Sequence, residues 1–188
     1  KFEKIILFFQ DIIQQTLTIP EIFDIFKGNK QILLFLFKHQ IIQFNNQLIK
    51  DTLYSNQTYL YFFYPEIKEQ LNNEEREKIE KNLISDDSSI FTNFDEKRQN
   101  GENDSYICQL IRQDSIEDFK SHVSKHKLSL NSNIKNSIFE TNRFLFSKKS
   151  ISLIEYAAFF GSLKIFHFLR EKSVNLTPSL WLYSIHCQ

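Results

Sequence analysis

Along the first half of the chain apolar side chains return every three or four residues. Phe2, Ile5, Ile6, Phe9, Ile12 and Ile13 fall on one stripe, with Glu3, Lys4, Gln10 and Asp11 off it, which predicts an amphipathic helix. Pro20 suits the first turn of a second, short helix, "PEIFDIFKGN", and Gly28 offers a left-handed stop. A third helix is expected from Asn29 to about Lys50 through Ile32, Phe35, Leu36, His39, Ile42 and Leu48, with Asn45-Asn46 its weak point. "DTLYSNQTYLYFFYPE" is rich in aromatic residues and compatible with a strand, but a helix closing at Pro65 suits its neighbours better. "PEIKEQLNNEEREKIEKNLI" then reads as a helix carrying Ile67, Leu71, Ile79 and Leu83, with a solvated charged face. From Ser85 to Ser105 the periodicity disappears, so this polar stretch with Gly101 is the expected linker, with a domain boundary near residues 95–104.

Beyond the linker the pattern changes in kind. "SLIEYAAFFGSLKIFHFLREKSVNL" (152–176) holds the chain's two alanines, Ala157 and Ala158, just ahead of Gly161, one of three glycines. Small residues on the buried face of a helix let it approach its neighbours closely, and Ala costs nothing in helix propensity. Gly161 suits a sharp reversal into a second helix carrying Leu163, Ile165, Phe166, Phe168 and Leu169. Two weaker copies follow from this frame. "ICQLIRQDSIEDFKSHV" places Asp114-Ser115 on Gly161-Ser162, Ile116 on Leu163 and Phe119 on Phe166. "LWLYSIHCQ" places Leu180, Tyr183, Ser184 and Ile185 on Leu153, Tyr156, Ala157 and Ala158.

This helix–glycine–helix pattern resembles the ankyrin repeat. Ser152 stands at the capping Thr of its T-P-L-H motif, Ile154 at the Leu, Ala157-Ala158 at the paired alanines and Gly161 at the turn glycine. Leu153 and Glu155 depart from the motif's Pro and His, and Ser173 replaces the glycine ending the second helix. The first copy lies further away than the roughly 33-residue ankyrin period, so residues 130–150 read as an insertion, with "IKNSIFE" a short helix within it. The last copy follows at less than one period. "SIFETN", "LIEYAAFFGSLKIFHFLR" and "LTPSLWLYSIH" look like the diverged ankyrin-repeat proteins expanded in parasitic protozoa, in which a helical domain of unknown function precedes the repeats. The resemblance implies an all-α fold: an N-terminal helical domain (1–100), then about two repeats and a truncated third (104–188). It also implies further repeats beyond Gln188 and no catalytic activity.

Composition agrees with helices. Three Gly and three Pro disfavour a turn-rich all-β fold, while 20 Phe must supply much of any core. The 23 basic and 23 acidic residues cancel, giving no bulk attraction to nucleic acid or to membrane surfaces. No apolar run reaches the ~18 residues of a membrane span. Asp11, Gln14 and Gln15 interrupt the N-terminal apolar stretch, against a secretory leader. Two cysteines, Cys108 and Cys187, make no disulfide framework, and the expectation is an intracellular, cytoplasmic protein. The absence of methionine suggests an internal piece of a longer chain.

Candidate chemistry is sparse. His122 and His126 have the i, i+4 spacing that can chelate zinc on a helix, but no further ligand pattern accompanies them, and a structural role is expected. His167, among Phe166, Phe168 and Leu169, reads as packing, and His186-Cys187 beside Trp181 and Tyr183 makes no nucleophile–base pair. Three isolated glycines form no phosphate loop. The acceptor patterns at Asn56, Asn103 and Asn175 are chance matches in an Asn-rich chain. The expectation is a protein-interaction module with no catalytic, metal or cofactor site, whose partner-facing residues are Glu155, Phe159, Phe160 and Leu182. The alternative is a regulatory or targeting part of a longer protein whose active portion lies elsewhere.

Overall fold

A computed structural model of the chain describes residues 2–45, 48–49, 56–86, 88–146 and 150–186. The readings made at Asn46, Leu53, Tyr54 and Cys187 fall outside them. The structure is mostly helical, and among the described residues the only extended pairing is an isolated antiparallel bridge between Asn133 and Ser152. No helix among them is long and apolar enough to cross a membrane. The chain divides into two compact units, Lys1–Glu102 with Thr141–Arg143 and Asn103–Glu140 with Phe144–Gln188.

The first unit begins with α1 (Phe2–Phe8) and α2 (Gln10–Thr16), where the sequence predicts one continuous helix. The break falls at Phe9, and of the predicted stripe only Ile6 is buried, while Phe2, Ile5, Phe9 and Ile12 are exposed. Helix α3 (Ile19–Phe26) opens on a capping box, in which Thr18 and Glu21 satisfy each other's end of the first turn, and Pro20 lies inside that turn. Gly28 is not the left-handed stop expected of it. It leaves room instead for the Arg143 side chain, whose Nη1 would lie 3.3 Å from an added Cβ.

Helix α4 (Lys30–Lys38) starts on the Asn29 carboxamide and stops twelve residues short of the predicted end at Lys50. The reversal is made by Gln40 in the left-handed region (φ 57°) and by the Ile41 amide donating to the Leu36 carbonyl. Burial of Ile41 and Ile42 and the stacking of Phe44 on Phe37 (ring centroids 3.6 Å apart) reward the turn more than continued helix would. The aromatic stretch is helical: α5 (Gln57–Phe62) is capped by Asn56 and buries Tyr59, Leu60, Tyr61 and Phe62. Pro65 lies in the first turn of α6 (Tyr64–Ile67), where the sequence places a helix start, and a single 3₁₀ turn follows. The helix predicted from Pro65 is therefore not continuous. Asn72 starts α7 (Asn73–Asp86), accepting from the Glu75 amide at 2.8 Å while the Glu75 carboxylate accepts from the Asn72 amide.

The expected linker holds α8 (Phe94–Asn100), bounded by Asn93 and Gly101, both left-handed. Arg98 explains its order. The guanidinium is 2% exposed, makes two bonds of 2.7 and 2.8 Å to the Glu66 carboxylate, pairs with Asp95 and donates to the Phe62 carbonyl. It also lies over the Phe62 and Phe94 rings.

The second unit is built on two helical hairpins. Helix α9 (Tyr106–Arg112) turns through Asp114 into α10 (Ile116–Lys125). The connection then loops out from a neck where the Ile134 amide donates to the Ile151 carbonyl at 2.7 Å. The short helix expected at "IKNSIFE" is absent, and the chain forms α11 (Arg143–Phe146) a few residues later. Helix α12 (Leu153–Phe159) turns through Gly161 into α13 (Leu163–Glu171), and α14 (Leu180–Ser184) follows. The first helices lie side by side in the order α9, α12, α14, and α10 lies beside α13. Ala157 and Ala158 are buried in the common core with Cys108, Ile111, Phe119, Ile154, Tyr156 and Leu169.

Candidate functional site

Local chemistry sets the α12 segment. Ser152 caps the helix and Glu155 completes the capping box by accepting from the Ser152 amide at 2.9 Å. The Glu155 carboxylate also accepts from the hydroxyls of Thr177 and Ser179, which lead into α14. Burial pushes this carboxyl up, but the hydroxyls of Ser179 and Thr177 and the Ser152 amide more than offset that and hold it below its ordinary value. At 4% exposure Glu155 is not a surface contact, contrary to the role expected of it. It ties the start of α12 to the connection that precedes α14.

Phe159 and Phe160 are half-buried. The Phe159 ring stacks on Phe144 at 5.9 Å and 13°, and Phe160 packs against Tyr156 at 4.7 Å beneath the Arg112 guanidinium. Tyr183 and His186 approach Phe144 at 5.0 and 4.4 Å, so five aromatic rings and one imidazole share a cluster at the C-terminal end of α12. Leu182 is half-buried on α14. The structure thus gathers Phe159 and Phe160 with Phe144, Tyr183 and His186.

Polar side chains join the hairpins. Arg112 on α9 donates to the Tyr156 hydroxyl on α12 at 2.7 Å and to the Asn103 carbonyl at 2.9 Å. Asp114 accepts from the Lys164 and Ile165 amides of α13, each at 3.0 Å, so the turn of one hairpin caps the second helix of the next. The Ser162 hydroxyl, which could have capped that helix, donates to the Ile111 carbonyl. The acidic residue at the glycine position was the available signal for this contact, but nothing local tells whose amides it will meet.

Other readings sort cleanly. Cys108 is a free, buried thiol whose pKa burial pushes up to about 11, so it is unreactive at neutral pH. Asn103 is 4% exposed and holds the Lys135 carbonyl and Ser105 amide, which leaves no room for a glycan. His167 is exposed, not packed. Among the described residues no three or more His, Cys, Asp or Glu side chains gather as a metal cage. No family model, curated protein or solved structure matches the chain.

Proposed function

We propose that residues 104–188 form a short stack of ankyrin-like repeats that binds a protein partner and catalyses nothing. The observation that carries this reading is the recurrence of one local design. Each hairpin reverses on a left-handed residue, Asp114 (φ 49°) in one and Gly161 (φ 65°) in the other, and each second helix ends on another, Lys127 (φ 51°) and Ser173 (φ 54°). The methyl-sized Ala157 and Ala158 are buried on α12, the helix that α9 and α14 flank.

In this reading the partner meets the solvent side of the Phe159, Phe160 and Leu182 surface, with Glu155 behind it as the strut that sets the α14 connection. Aromatic side chains supply contact area at low entropic cost, which suits them to such a face. The buried Cys108 thiol fits the reducing interior of a cell, and the cytoplasm is the proposed location.

The test uses the whole 188-residue chain as bait against a lysate, with partners identified by mass spectrometry, beside a Phe159→Asp/Phe160→Asp variant whose helicity is verified by circular dichroism. A reproducible protein recovered by the parent and lost by the folded variant supports the reading. Equal recovery by both removes these rings from the interface.

A further inference from the structure

The α9–α10 hairpin carries a group of side chains that the partner-binding reading does not use. His122 lies in the last turn of α10 and His126 is that helix's C-cap, its amide donating to the His122 carbonyl at 3.0 Å. Their ring centroids lie 4.5 Å apart, with planes tilted 41° to each other. Tyr106, at the start of α9, presents its ring edge-on to His122 at 5.1 Å. With Asp118, Ser121 and Lys125 they line a surface hollow of about 310 Å³.

The geometry points to a two-imidazole site for a borderline divalent transition metal, zinc or copper(II), held by His122 and His126. With an imidazole nitrogen ~2.0–2.1 Å from the ion each ring centre would stand about 3.2 Å from it, so two rings would lie about 4.5 Å apart at the ~90° angle of tetragonal copper(II) and about 5.2 Å apart at the tetrahedral angle of zinc. The 4.5 Å found matches the copper(II) case, and a small opening of the exposed His126 ring reaches the zinc case. Borderline metals accept imidazole, whereas magnesium and calcium require oxygen cages that this hollow does not provide. Of the charged groups facing the pair, Asp118 favours a cation and Lys125 opposes it. With two protein ligands the remaining coordination positions belong to water, and the site is an open one. A bound ion would clip the last turn of α10 to its cap.

The whole chain is titrated with zinc chloride and, separately, copper sulfate at pH 7.5, followed by calorimetry and by the histidine ring signals in NMR. One ion is expected to bind per chain, with the His122 and His126 signals shifting under zinc and broadening under copper. His122→Gln and His126→Gln should each weaken binding at least tenfold. A His39→Gln/His167→Gln/His186→Gln variant should bind as the parent does. His126 is exposed, so its substitution keeps the test meaningful even if His122→Gln impairs folding. Undiminished binding by His126→Gln, or no binding of either ion at millimolar concentration, overturns the assignment.

Discussion

Asp114 offers the sharpest test of how the two hairpins of the second unit are joined, because its backbone and its side chain make separable contributions. The backbone is left-handed (φ 49°), and the carboxylate caps α13 through the Lys164 and Ile165 amides at 3.0 Å each. Losing a helix cap costs about 1 kcal/mol. Placing an ordinary L-residue in the left-handed region costs a further ~1–2 kcal/mol, which Gly avoids and Asn largely tolerates. Asp114→Ala should therefore destabilise the unit by about 2–3 kcal/mol, Asp114→Gly by about 1 kcal/mol, and Asp114→Asn by less, since its carboxamide oxygen still accepts one amide. Because Trp181, the chain's single tryptophan, is exposed in the fold, unfolding of this unit in urea is followed by NMR amide signals of α9–α14. With a slope of about 1 kcal/mol per molar for so small a unit, the midpoint should fall by about 2–3 M for Ala and by about 1 M for Gly. Equal losses for Ala and Gly would show that the positive φ contributes nothing. An Ala variant within about 0.3 kcal/mol of the parent would refute the inter-hairpin cap altogether.

Three further outcomes follow from packing and charge. Glu155 ordinarily titrates near 4.5 and is held lower in the folded unit, so its contribution is fully present above that value and is lost as the pH falls through the lowered folded value. Urea midpoints measured between pH 6 and 3 should decline more steeply for the parent than for Glu155→Gln, and identical slopes would remove this carboxylate from the account. Ala157→Leu should overpack the fully buried α12 position and cost ~1–3 kcal/mol, read as a lower thermal midpoint, whereas an unchanged midpoint would mean the position has room to spare. In the first unit, Arg98→Ala strands the Glu66 carboxylate and should cost about 3 kcal/mol, with Arg98→Met/Glu66→Met recovering much of it; thermal circular dichroism of the three proteins distinguishes a pair that matters from one that does not.

Helix content and the α12–α13 hairpin were legible because their determinants lie within a few residues of one another. Ser152 stands at the head of the helix, and the alanines and Gly161 occupy one continuous segment, so neighbouring residues alone point to a close-packed face and a turn. Where reading failed, the deciding contact was remote in sequence. A polar, aperiodic stretch became α8 because Arg98 finds Glu66 and the Phe62 carbonyl across the first unit. The helix expected to reach Lys50 ended at Lys38 because Ile41 and Ile42 gain more from burial after a reversal. Glu155 looked like a surface residue because its partners Thr177 and Ser179 lie a whole hairpin away.

The sequence by itself determined that this chain is built of helices, where its clearest hairpin turns, and which small residues let that hairpin be approached closely. Only the tertiary structure decided which amphipathic faces are covered, leaving much of the α1–α2 stripe in solvent while burying Arg98, and which amides Asp114 would cap. Periodicity and caps are short-range, so one segment specifies them. Burial and the pairing of buried polar groups depend on which distant segments arrive beside them, and that is settled by the folded chain as a whole.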